Sequence, residues 1–239
     1  MFIVFKREVK SYFLYSPLGY VFIAAFFILF GIFFMAINIG YGITDINITL
    51  SNMSLVLLFL IPALTMRLIA EERKTKTDQL LFTSPISPVK IVLGKFLAAT
   101  CVFIITLLIT LIYAGMLSIF STPNIPGMIN AYIGFLFLGI SFISICVFAS
   151  ALTDNQVIAF IIGFSSILVL WILEFLENLI SNQVISKIID WVSLLKRYKD
   201  FSDGILKPAP IIYYISVIAL FVFLTMRAIE KRRWSEGGA

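Results

Sequence analysis

The residues with the most chemical capacity in this chain sit in one stretch, "RLIAEERKTKTDQLLFTSPISPVKIVLGK", from Arg67 to Lys95. Glu71, Glu72, Arg73, Lys74, Lys76 and Asp78 crowd its first half. Leu80, Leu81 and Phe82 follow as an apolar cluster, and Pro85 and Pro88 close it. Interleaved acids and bases of this kind do not assemble a catalytic group. The chain has no histidine, so neither a Ser-His-Asp nor a Cys-His relay can be built from it. Gly94-Lys95 lacks the upstream glycine and the following hydroxyl of a phosphate-binding loop. Cys101 and Cys146 lie in separate apolar runs and form no CxxC pair, which suits small packing residues. No catalytic residue and no metal ligand set is therefore expected. What the stretch can do is dock. Apolar anchors inside a charged rim fit a groove on a partner protein. A loop that only fixed membrane orientation would need lysines and arginines, but neither the "EER" acids nor the "LLF" cluster.

The elements that present this stretch are apolar. Hydrophobic residues make up 61% of the 239 and charged residues 13%, against roughly 45–50% and about 25% in soluble domains. Six runs approach or exceed the roughly 18–20 residues that cross a bilayer: 17–39, 54–70, 91–120, 128–152, 157–175 and 211–226. Backbone polar groups find no partner in hydrocarbon, so each span must be helical. The fold class is an all-α integral membrane protein with six transmembrane helices. Only "TDNQ" separates the fourth and fifth spans, so Asp154, Asn155 and Gln156 form the turn of a tight hairpin.

Basic residues orient the bundle. Lys6, Arg7 and Lys10 precede the first span, six lie between Arg67 and Lys95, and Arg227, Lys231, Arg232 and Arg233 follow the last. With both termini cytoplasmic, 13 of the 18 basic residues face the cytoplasm, as the positive-inside rule requires. The net charge of +5 reports this orientation, and no solvent domain is present to bind nucleic acid. The amino-terminal apolar run is too long for a cleaved signal peptide and reads as an uncleaved first span. Residues 1–16 mix Phe2, Ile3, Phe5, Val9, Tyr12 and Phe13 with Lys6, Arg7, Glu8 and Lys10, the pattern of an interfacial helix. Pro17 marks the corner into the bilayer. From Asn178 to Lys196 apolar residues recur at helical spacing in a segment too charged to span, an amphipathic region at the outer leaflet reaching to about residue 209.

These residues resemble a known family, the membrane subunits of type-2 ATP-binding-cassette exporters, and within it the gliding-motility and nitrous-oxide-reductase-maturation permeases. The resemblance rests on "FKREVKSYFLYSPLGYVFIAAFFILFGIFF", "PALTMRLIAEERKTKTDQLLFTSPISPVKIVLGKFLAA" and "SLLKRYKDFSDGIL…YYISVIALFVFLTMRAIEKRRW". It implies an amino-terminal connecting helix over 1–16. It implies a coupling helix over 71–84 that docks on a separate nucleotide-binding ATPase subunit through Glu71, Glu72, Arg73, Thr77, Leu80, Leu81 and Phe82. It further implies re-entrant helices over 178–209 and a dimer with a second permease copy, identical or related. The transport path then runs along the shared interface. An accessory extracytoplasmic membrane protein and residence in the bacterial cytoplasmic membrane belong to the same picture. This chain binds no cofactor; ATP and Mg are expected on the partner subunit.

On a path at the dimer interface, Phe26, Phe30, Phe34, Leu57 and Leu64 are candidates to face an apolar or amphiphilic cargo. Aromatic stripes more often pack or meet lipid. Glu174, with Glu177 on the same face, either lines the exit or holds its carboxylate in interfacial water. Arg67 suits snorkelling to lipid phosphate. Two readings share these features: an ATP-driven export permease, and a mechanotransmission subunit that relays ATP hydrolysis without moving a solute. An ion-coupled carrier fits less well, since there are no inverted halves and few intramembrane ionisable groups.

Overall fold

A computed structural model of the chain describes residues 1–77, 87–120, 124–177, 193–202 and 208–236. Among these residues every regular element is helical. α1 (Phe2–Lys10) runs through a π-helical turn at Ser11–Tyr15 to Pro17. α2 (Leu18–Phe34) is extended by a second π-helical turn at Met35–Ile39. Then follow α3 (Ile46–Thr65), α4 (Arg67–Lys74), α5 (Pro88–Phe120), α6 (Ile125–Leu152), α7 (Gln156–Glu177), α8 (Leu194–Ser202) and α9 (Pro208–Glu236). Among the described residues six helices are long and apolar enough to cross a membrane: Leu18–Ile39, Ile46–Lys74, Pro88–Ile119, Ile125–Leu152, Gln156–Leu173 and Pro208–Arg232.

Several helices start earlier or end later than the apolar runs alone indicate. The second begins at Ile46 rather than at residue 54 because "DINITLSNM" is polar only on one side. Ile46, Thr49, Leu50 and Met53 share a buried face, and the Asp45 carboxylate caps the helix by accepting from the Asn47 N–H at 2.9 Å. Buried Asn38 fixes the preceding turn. Its amide donates to the carbonyls of Ile43 (2.8 Å) and Asp45 (3.1 Å) and accepts from the Thr49 hydroxyl at 2.6 Å. The fourth helix starts at Ile125, where the Asn124 side chain accepts from the Gly127 N–H and Pro126 fits the first turn. The last continues to Glu236, well past residue 226, because Val222, Thr225 and Ile229 extend one buried face while Arg227 and Lys231 stay exposed.

α6 is the central helix. Of its most apolar window 72% is buried, against 22% for α2, 17% for α7 and 22% for α9. Small residues make this possible, since neighbouring helices can approach their backbones closely. A Cβ on Gly134 would meet the Phe201 Cβ at 2.7 Å, and one on Gly139 would collide with the Phe103 ring. At one end of the bundle the turn after α6 is closed by Asn155, whose side chain accepts from the Val157 N–H at 2.9 Å. At the other end α8 buries Leu194, Leu195, Tyr198 and Phe201, and the Tyr214 hydroxyl donates to the Leu194 carbonyl at 2.6 Å. Most of the amphipathic region expected over 178–209 lies outside the described residues; α8 is the part of it that is seen.

Candidate functional site

The charged stretch begins where the second span breaks. Pro62 sits inside α3 and removes one backbone donor. Three residues on, the Thr65 hydroxyl donates back to the Ile61 carbonyl at 2.9 Å, and the helix interrupts at Met66 before resuming as α4. Such a break leaves helix-end donors without intrahelical acceptors. Ser150, on α6, meets them: its oxygen accepts from the N–H groups of Ile69 (3.2 Å) and Ala70 (3.1 Å) while its hydroxyl donates to the Met66 carbonyl at 3.0 Å. Ser150 is fully buried. One serine thus ties the start of α4 to the end of α6. Arg73 adds a second tie, donating to the Thr153 carbonyl at 3.4 Å.

The other face of α4 is held by ions. Lys95, on the first turns of α5, is 1% exposed. The Lys95 ammonium donates to the Leu68 carbonyl at 2.6 Å and to Glu8 Oε1 at 3.3 Å, and forms an ion pair with Glu72 Oε1 at 2.9 Å. Arg7 donates through Nη2 to the same two oxygens, each at 2.8 Å. Arg67 grips Glu71 with Nε (2.7 Å) and Nη2 (2.9 Å) and reaches the Ser16 hydroxyl with Nη1 at 3.0 Å. The Tyr12 hydroxyl donates to the Leu64 carbonyl at 2.9 Å. Burial, reinforced by the Glu8 charge, pushes the Tyr12 phenol far above its ordinary range, so it remains a neutral donor. A single network therefore joins α1, the α3–α4 junction and α5. It surrounds an open cavity of about 440 Å³.

α1 can lie this close only because residue 94 is glycine. A Cβ there would meet Val4 Cβ and Cγ1 at 2.9 Å and the Phe5 backbone nitrogen at 3.2 Å. The inward residues of α1, Val4 and Glu8, are buried, while Phe2 and Ile3 are exposed, the division an interfacial helix requires.

Of the expected docking residues, the structure brings Glu71, Glu72 and Arg73 together on α4. All three have partners within the chain. Of the helix expected over 71–84, the described part ends at Lys74, Thr75–Thr77 form a turn, and 78–84 lie outside the described residues. Lys76 there has φ +55°, a left-handed conformation that interrupts a helix. Thr75 donates to the Glu71 carbonyl at 2.9 Å and Thr77 to that of Glu72 at 3.3 Å, so the two hydroxyls satisfy the helix end. Thr77 is exposed at the edge of the cavity. Leu80, Leu81 and Phe82 lie outside the described residues. So does the side chain of Glu174, whose backbone belongs to α7.

Phe26, Phe30, Phe34, Leu57 and Leu64, expected along a path, are packed inside the subunit. Phe26 stacks on Phe30 at 6.3 Å and meets Phe103 and Phe135 edge-on at 6.4 and 6.2 Å, while Tyr113 covers Phe30 and Phe34 at 5.2 Å each. Packing alone accounts for this stripe; the outer face of α2 is Tyr20, Val21, Ile28, Ile32 and Met35. Lys95, Glu8 and Ser150 were not singled out by sequence reasoning. A lysine inside an apolar run and a glutamate on an interfacial helix were visible signals, since each demands a partner; the serine gave none.

Among described residues no group of His, Cys, Asp and Glu could hold a metal ion. Among curated proteins no relative matches the chain. The family model for the ABC-2 family transporter protein matches residues 42–226. It spans the α3–α4 junction, the charged stretch and the last five apolar helices. The chain belongs to the ABC-2 transporter family and is a multi-pass membrane permease subunit of an ATP-binding-cassette transporter, a class that works with an ATP-binding subunit.

Proposed function

We propose that the segment from Arg67 through Phe82 is the lever on which the ATP-binding subunit docks, and that two permease chains together export an apolar or amphiphilic cargo. In this reading both termini and the lever are cytosolic, in a bacterial plasma membrane. ATP and Mg bind to the partner subunit, which carries out the hydrolysis. The gliding-motility and nitrous-oxide-maturation resemblance is a finer part of the same reading.

The observation that carries it is the anchoring of α4. Its stem is fastened to α1 and α5 through Glu72 and Lys95 and to α6 through Ser150. A push on residues beyond Lys74 is passed at once to three elements of the bundle. A loop that served only to return the chain to the membrane would need no such fastening. The two halves of the stretch divide the work: Glu71, Glu72 and Arg73 hold the stem, and Leu80, Leu81 and Phe82 supply apolar anchors for the partner's groove.

The test replaces Leu80 and Leu81 together by aspartate and leaves the stem intact. Membrane insertion should be unchanged, and co-purification of the ATP-binding subunit should fall by at least about tenfold, the size of effect expected when buried interface anchors are lost. Undiminished recovery, with undiminished stimulation of ATPase activity by the permease, would overturn the assignment.

A further inference from the structure

The cavity beside the ion network has unused bonding capacity of both signs. Arg7 places only Nη2 on carboxylates. Its Nε and Nη1 meet no acceptor among the described residues, and its side chain is 51% exposed. Glu8 and Glu72 both receive their bonds on Oε1. The second oxygen of each carboxylate accepts from no described residue, although both side chains line the cavity. The wall thus offers donors beside acceptors. Its formal charge is balanced: Arg7, Arg67 and Lys95 against Glu8, Glu71 and Glu72.

This balance selects a ligand. A lone anion would gain the Arg7 donors but sit against carboxylates; a lone cation would meet the reverse. A ligand carrying an anion and an N–H-bearing cation a few bonds apart satisfies both sets and leaves the net charge unchanged. The location selects further. The cavity lies where α1 rests along the bundle end and where the second apolar helix ends and the third begins. That is the headgroup layer of a bilayer. Exposed Tyr15 stands at its wall, an aromatic with an apolar body and a polar tip, suited to that layer.

We propose that this cavity binds the headgroup of a membrane phospholipid that carries a phosphate and a primary ammonium, the phosphate on Arg7 and the ammonium on the open oxygens of Glu8 and Glu72. The bound lipid joins α1 to α4. The occupancy of the site then sets how firmly the amino-terminal helix is fastened to the lever. A choline headgroup lacks the N–H donors, and a glycerol headgroup lacks the cation.

The test uses the full chain, delipidated in detergent and offered phosphatidylethanolamine, phosphatidylcholine and phosphatidylglycerol at equal concentration, with retained lipid counted by native mass spectrometry. The expected result is one phosphatidylethanolamine per chain, preferred over either competitor by about tenfold, the ratio produced by one lost charge-assisted bond. Arg7→Gln should lower retention of all three lipids, since each carries the phosphate, and Glu72→Gln, which weakens the acceptor for the ammonium, should erase the preference for phosphatidylethanolamine. Millimolar inorganic phosphate should not displace the lipid. Should Arg7→Gln unfold, Thr77→Trp fills the cavity edge from an exposed position and should lower retention equally. Equal retention of the three lipids, displacement by phosphate alone, or full retention by Thr77→Trp would each overturn the proposal.

Discussion

At the scale of single residues, Lys95 and Ser150 decide the geometry of the lever. Lys95 is buried against two carboxylates and a backbone carbonyl, so its replacement is felt as lost attraction and as residual negative charge. Lys95→Met leaves Glu8 and Glu72 with only Arg7 between them. It should destabilise the chain toward the lower end of the about 3–5 kcal/mol typical of a broken buried pair, because Arg7 still bridges the two. Adding Glu72→Gln should restore part of that loss, a sign of direct coupling that thermal unfolding in detergent can read. Ser150→Ala removes the acceptor for two backbone donors and should cost about 1–3 kcal/mol. A loss within error of zero for Ser150→Ala would mean that water replaces the hydroxyl and that α4 is not tied to α6 there. The sequence made the acids and bases of 67–78 conspicuous. It could not tell which of them point outward, because the partners of Glu72 are 23 residues downstream and 65 upstream.

At the scale of elements, the question is how α1 and α4 sit on the bundle. Gly94 permits α1 to touch α5 through backbone as well as side chain. Gly94→Val should lift α1 before it disturbs the spans, since the atoms nearest to a side chain at residue 94 belong to Val4 and Phe5 of α1. Hydrogen exchange of amides 2–10 should rise while that of α6 stays constant; unchanged protection of α1 would show that the contact is dispensable. The amphipathic pattern of residues 1–16 was legible from charge and apolar spacing and agrees with the buried Val4 and Glu8 and exposed Phe2 and Ile3 of α1, whereas α4, which starts at Arg67 and ends at Lys74, was not foreseen within the helix expected over 71–84. The early start of α3 was not, because a helix that buries one polar-looking face in protein rather than lipid carries no continuous apolar run. The break at Thr75–Thr77 was also hidden: neither glycine nor proline marks it, and the turn depends on threonine hydroxyls and one left-handed lysine. The aromatic stripe of α2 looked the same in sequence whether it faced a path or a core, since both surroundings are apolar; only contacts with Phe103, Phe135 and Tyr113 separate the two.

At the scale of the whole molecule, composition was decisive. A chain so apolar has few soluble solutions, and six long helices follow from the bilayer's thickness and its lack of hydrogen-bond partners. The family match over residues 42–226 agrees with that architecture and adds the ATP-binding partner. Which side the lever occupies follows, in our reading, from the excess of basic residues at the α1–α4–α5 end. A photo-reactive residue at position 76 tests sidedness and docking together, because Lys76 is exposed on the turn where the lever leaves the bundle. With the transporter assembled in its membrane, the account predicts a cross-link from position 76 to the ATP-binding subunit and none from position 42, at the opposite end of α3. A cross-link from position 42 in the absence of one from 76 would contradict it.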